Sequence, residues 1–158
     1  MDAYLAGDEN AAEEILLGAN YAGRAINLTQ TTAAHAMSYK LTSYYHIPHG
    51  HAVAVCLPGL WRHMLANLEN CIDARGAAYL RDVFEEIADA LHAGRDPERA
   101  VREFEQLLER LDIRPPAIDP EALDLLAASV NPVRLKNNPV ALTEKELRAL
   151  YENLMGNV

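Results

Sequence analysis

Apolar residues in this chain recur at three- and four-residue steps along most of its length, and no segment alternates apolar with polar residues as a strand would. From Asn10 to Thr29 the series is Ile15, Leu16, Ala19, Ala22, Ile26 and Leu28, and from Ala77 to His92 it is Leu80, Val83, Phe84, Ile87 and Leu91. Each stripe must be buried against another element, and with only helices on offer the spacing predicts an all-α bundle of about six to seven helices. The residues available for the core agree. Half of the chain is apolar but only 6% is aromatic, so Ala and Leu, which lose little on entering a helix, supply most of the interior.

Local signals set the expected boundaries. Thr31 and Thr32 are suited to cap a helix over Ala33–Tyr45, which stops before His46-Ile47-Pro48 because a residue preceding proline resists the helical conformation. A helix that is apolar all round follows from Gly50 to Leu57, and Pro58-Gly59 predicts a bend or break before it resumes over Leu60–Leu68. Asp96-Pro97 and Asp119-Pro120 read as the starts of helices over Glu98–Leu111 and Glu121–Ser129. Asn131–Val140 reads as a polar loop, and Thr143 with Glu146 forms a capping box for the last helix. Gly18, Ala19, Ala22 and Gly23 cluster on one helix and predict close approach of another backbone.

Length and charge narrow the class. A length of 158 residues suits one domain over 1–158 that hides roughly 70% of its unfolded surface. With 14 basic and 23 acidic residues the net charge is −9, which disfavours nucleic acid as a partner. Cys56 and Cys71 make no disulfide framework; Cys56 lies in an apolar run as a buried thiol, and a reducing cytoplasm is expected. The longest uncharged run, Leu41 to Trp61, is broken by histidines, prolines and glycines, so no membrane span is expected, and Met1-Asp2 opens no leader.

One segment carries chemistry. His35, Tyr39 (or Ser38), Thr42 and Tyr45 form a polar stripe on the helix over Ala33–Tyr45, and His49 follows in the turn beyond, near the start of the next helix. The partial positive charge of a helix N-terminus disfavours protonation of His49, and a metal ligand must be neutral imidazole. The two histidines are therefore candidates to converge on one ion. Imidazole suits iron, zinc, copper and nickel alike. Two ligands do not complete a catalytic site, which has at least three, and hydrogen-bonded core histidines are the plain alternative.

The local pattern goes further. His35-Ala36-Met37, the fourteen-residue step to His49, Pro48-His49-Gly50 and an apolar helix ending in Leu57-Pro58 together resemble the signature of the iron-containing (group III) alcohol dehydrogenases. Upstream, Ala22-Gly23-Arg24-Ala25-Ile26 resembles that family's small-residue helix, and Asn131 to Pro139 resembles its late loop. The resemblance implies an all-helical C-terminal domain that follows a nucleotide-binding α/β domain, with a divalent metal (iron or zinc) in the cleft between them. It implies His35 and His49 as metal ligands. The other two ligands, an Asp and a His on an earlier helix, have no counterpart here, nor has the glycine-rich turn that would hold NAD(P). The expectation is a metal-binding domain truncated on its N-terminal side, carrying part of a site for small alcohols or aldehydes and inactive alone.

Tyr39 stands where many members carry a second histidine near the nicotinamide, which makes it a candidate proton donor or pocket wall. Ala34-His35-Ala36-Met37-Ser38-Tyr39 with Ile47-Pro48-His49-Gly50-His51 is similar to the branch containing phosphonoacetaldehyde reductases, which implies a small aldehyde with an anionic group. His46 and His51 are expected in an exposed polar loop, and Trp61, Arg62 and His63 in packing and surface roles. Arg134 and Lys136 are expected at the surface, where an anionic substrate or a partner subunit would meet them. The rival reading is a stand-alone, non-catalytic interaction module, indifferent to metal, that forms a homo-oligomer over the surface around Gly18 to Ile26. Glycerol dehydrogenase and dehydroquinate synthase relatives share the fold, but the Pro48-His49-Gly50 context and the Asn131-Pro132 loop favour the alcohol dehydrogenase branch.

Overall fold

The structure, a computed structural model, describes residues 2–156. Among them the regular elements are all helices: α1 (Asp2–Leu5), α2 (Asn10–Leu28), α3 (Ala33–Tyr45), α4 (His49–Ala66), α5 (Gly76–Ala90), α6 (Pro97–Arg110), α7 (Leu123–Ala128), α8 (Pro132–Leu135) and α9 (Glu144–Met155). Single 3-10 turns lie at Leu68–Asn70 and Pro120–Ala122. The count exceeds six to seven chiefly because α1 and α8 are single turns too short to show a periodicity. The chain divides into two compact units, 1–31 and 32–158.

The first unit holds α1 and α2, joined through Gly7 at φ +84°, a left-handed conformation that favours glycine. Within this unit a Cβ added at Gly18 or Gly23 meets no atom within 4 Å, so the close backbone approach expected there is not found.

In the second unit α4 is the central helix and packs on α3, α6 and α9. Ala52, Val55, Cys56, Leu60, Trp61 and Met64 of α4 are buried, as an all-round apolar helix requires. The expected break at Pro58 is absent: α4 runs unbroken through it. Proline there removes one backbone hydrogen bond at a cost of about 3 kcal/mol, and burial of this helix against three others offsets that loss. Trp61 stacks on Phe84 with ring centroids 6.1 Å apart, and Arg62 holds Glu105 through both terminal guanidinium nitrogens.

The caps divide. Asp96 accepts from the Arg99 amide at 2.9 Å, and Thr143 and Glu146 complete a reciprocal capping box. Asp119 and Thr32 make no side-chain cap. At α3 the acceptor comes from far along the chain: Asn138 Oδ1, only 1% exposed, takes the Ala33 amide at 3.5 Å, while its Nδ2 donates to the Val140 carbonyl at 2.7 Å. The first turn of a helix has no internal acceptors for its amides, so any well-placed oxygen serves.

Burial pushes the Cys56 thiol up to about 12, whereas Cys71 is partly exposed. Alkylation of the native chain with iodoacetamide is therefore expected to modify Cys71 and to reach Cys56 only after unfolding, as read by peptide mass spectrometry. Equal labelling of both thiols in the native chain would contradict this packing.

Candidate metal and substrate site

His35 sits in the first turn of α3, and His49 is the first residue of α4. A left-handed residue, His46 at φ +57°, ends α3 and reverses the chain. The segment Ile47-Pro48 then returns alongside α3, with Pro48 extended at φ −55°, ψ 142°. Two helical turns rise about 10 Å, and three extended residues reach about the same distance. The return therefore brings His49 level with Ser38 and Tyr39.

The rings of His35 and His49 lie 5.4 Å apart between centroids, edge to face. Tyr39, half exposed, stacks on His49 at 5.4 Å with an interplanar angle of 26°. Ser38 is fully buried, and its hydroxyl donates to the His35 carbonyl at 2.9 Å. Its Oγ also lies 3.3 Å from His49 Nδ1. A hydroxyl has one proton, so with that proton on the His35 carbonyl it accepts from His49. The Nδ1 is then the protonated nitrogen, and Nε2 keeps the lone pair a ligand needs.

At His35 the surroundings favour neutral imidazole. The pKa of His35 is lowered, first by burial, then by His49 and by Arg134, all of which disfavour imidazolium. Arg134 is the contributor that sequence reasoning left at the surface. It is exposed, yet its guanidinium carbon lies 4.7 Å from the centroid of the Tyr39 ring. It sits on α8, whose start is set by Asn131 accepting from the Val133 amide at 2.9 Å. That Asn131-Pro132 start was the signal for a short helix in the segment read as a loop.

The other polar residues of the segment fall outside this cluster. The Thr42 hydroxyl is buried without a hydrogen-bond partner, and Tyr45 packs on Tyr44 at 5.0 Å. His46 is exposed. His51 departs from the expected exposed loop: it lies within α4, is partly buried, and its Nε2 bonds the Arg114 carbonyl at 2.5 Å. Lys136 is exposed. Among the described residues no three or more His, Cys, Asp or Glu side chains come together to hold a metal. The His35–His49 pair has the chemistry of two ligands and no more. No helix among the described residues is long and apolar enough to cross a membrane.

This all-helical architecture has a known home. The chain belongs to the Fe-containing alcohol dehydrogenase family: the model of that family's C-terminal region matches residues 1–155. Phosphonoacetaldehyde reductase of Streptomyces viridochromogenes is 35% identical over 147 residues, covering 92% of this chain and 37% of that protein. Alcohol dehydrogenase 4 of Schizosaccharomyces pombe is 27% identical over 153 residues, 94% of this chain and 34% of the other. The chain thus spans little more than a third of these relatives. Among solved structures, an archaeal halo-thermophilic alcohol dehydrogenase from a Red Sea brine pool superposes with a TM-score of 0.70 at 23% identity, over 85% of this chain and 35% of that one. An iron-containing alcohol dehydrogenase of Thermotoga maritima gives 0.57 at 25% identity, over 83% and 31%.

Proposed function

We propose that this chain is the helical, metal-binding part of a nicotinamide-dependent alcohol or aldehyde oxidoreductase, and that His35 and His49 supply two ligands to its catalytic divalent metal, iron or zinc. The observation that carries the proposal is the pairing of the two imidazoles with Ser38 fixing the tautomer of His49. When bound, such an ion acts as a Lewis acid toward the substrate oxygen. The chain's own residues orient and exclude: Ser38 holds the His49 ring, and Tyr39 walls one side and has a hydroxyl able to donate a proton. On this reading the remaining ligands and the NAD(P) site belong to the part of the relatives' length that this chain does not span. Alone it should bind metal weakly and not turn over alcohols. A reducing cytoplasm suits its two free thiols.

Zinc titration of the chain, followed on the histidine ring resonances by NMR, tests this. His35→Ala and His49→Ala are each expected to weaken binding at least about tenfold with the helical circular dichroism unchanged. Ser38→Ala is expected to weaken it by about tenfold through loss of the outer hydrogen bond. Equal affinity in all four proteins would sink the assignment. The exposed apolar residues Leu16, Leu17, Tyr21 and Ile26 on α2 favour a second reading, an oligomerisation module. Under that reading the chain would self-associate by light scattering and ignore zinc.

A further inference from the structure

We propose that His51 is a positioning residue: its bond to the Arg114 carbonyl pins the first turn of α4 and so holds His49 where it faces His35. The inference rests on the metal-pair reading above and adds to it the group that keeps the exposed member of the pair in place.

His49 opens a turn that has little of its own to hold it. Pro48, His49 and Gly50 are all exposed, and Pro48 offers no side-chain hydrogen bond to cap the helix. The opening amides of a helix have no internal acceptor. The first backbone bond of this helix runs from the Ala52 amide to the Pro48 carbonyl at 3.0 Å. Gly50 adds freedom: a Cβ built on it meets nothing within 4 Å, and glycine loses more conformational entropy on folding than any other residue. Such a turn frays unless tertiary contacts fasten it.

Two contacts do so, from opposite sides. Residues two apart on a helix lie about 200° apart around its axis. On one side His49 meets Ser38 and Tyr39 of α3. On the other the partly buried His51 reaches the Arg114 carbonyl, 63 positions along the chain, with Nε2 at 2.5 Å from the oxygen. A carbonyl only accepts, so Nε2 carries the proton and is committed to this bond. The acceptor is itself fixed. After α6 the chain turns at Asp112, left-handed at φ +52°, and the Ile113 amide donates to the carbonyl of buried Leu108 at 2.9 Å. The Arg114 side chain then holds Asp112 at 2.7 Å. The His51 bond therefore ties the start of α4 to the end of α6.

Zinc binding to the chain, read on the His35 and His49 ring resonances by NMR, tests this with His51→Asn, His51→Gln and His49→Ala. The Asn amide falls short of Arg114, whereas the Gln amide nitrogen stands at the same remove from Cβ as imidazole Nε2. His51→Asn is expected to weaken zinc binding about five- to tenfold, the net contribution of one hydrogen bond, and Gln to restore most of it. In a His49→Ala background His51→Asn is expected to change nothing further, because the anchor acts only through His49. The Ala52 amide should exchange with solvent faster in His51→Asn and at the parent rate in His51→Gln. A role confined to stability would lower the urea midpoint and leave the zinc affinity of the folded chain as it was. Unchanged affinity or unchanged Ala52 exchange in His51→Asn, equal losses with Asn and Gln, or a further loss beyond His49→Ala each overturns the proposal. A parent chain that binds zinc no better than His51→Asn removes the anchor alone, while a parent chain that binds none removes the metal reading and the anchor with it.

Discussion

Tyr151→Ala is expected to destabilise the second unit by about 3–5 kcal/mol, read as a fall in the urea midpoint without a change in slope. Tyr151 of α9 is fully buried, and its hydroxyl donates to the Met37 carbonyl of α3 at 2.8 Å. Burial, with Cys56 of α4 adding to it, pushes the phenol well above its ordinary value. One side chain thus fastens α9 to α3 beside the central helix. Truncation leaves a cavity that surrounding helices fill only in part, and it removes a hydrogen bond across 114 positions of sequence. Tyr151→Phe separates the two contributions. The Met37 carbonyl keeps its helical partner, so loss of the hydroxyl alone is expected to cost about 1 kcal/mol. A Phe variant as unstable as the Ala variant would show that the hydrogen bond, not the packing, dominates. Against a typical total of about 5–15 kcal/mol, the Ala variant should stand close to its limit at physiological temperature.

The second large effect is expected at Asn138. Asn138→Leu removes an acceptor from the Ala33 amide and a donor from the Val140 carbonyl, both in buried surroundings. Leaving two such groups unpaired should cost about 3 kcal/mol in all, a fall of about 6–12 °C in Tm for a domain of this size. Hydrogen exchange adds a local readout: the amide at Ala33 should exchange faster than those deeper in α3. Asn138→Asp keeps the acceptor but places a carboxylate in a site that offers it one amide, and it should be no better than Leu. An unchanged Tm in both variants would show that Thr32 or water takes over the cap.

How much of this could be read beforehand follows from the range of each interaction. The helices α2, α3, α5, α6 and α9 were legible because their boundaries rest on residues three or four positions apart: Asp96 with Arg99, Thr143 with Glu146, and the apolar stripes themselves. The histidine pair was legible for the same reason, since both rings and Ser38 fall within fifteen residues. What failed was whatever tertiary contact decides. Pro58 breaks helices in isolation but lies in one whose burial outweighs its defect. Thr31 and Thr32 had the right chemistry for a cap, yet the acceptor came from Asn138, 105 residues away. Gly18 and Gly23 suggested a close neighbour, and none is found within their unit. Arg134 looked like any surface cation because nothing in a sequence records which ring lies under it.

The reversal at His46 has a consequence for the order in which the site comes together. The imidazole pair belongs to a hairpin of two adjacent helices, closed by a loop of three residues, and segments of such low contact order form among the first in a folding chain. Arg134 and Asn138 reach the same place only when the distant α8 segment docks. During synthesis the two imidazoles would therefore be brought together well before the guanidinium arrives beside Tyr39.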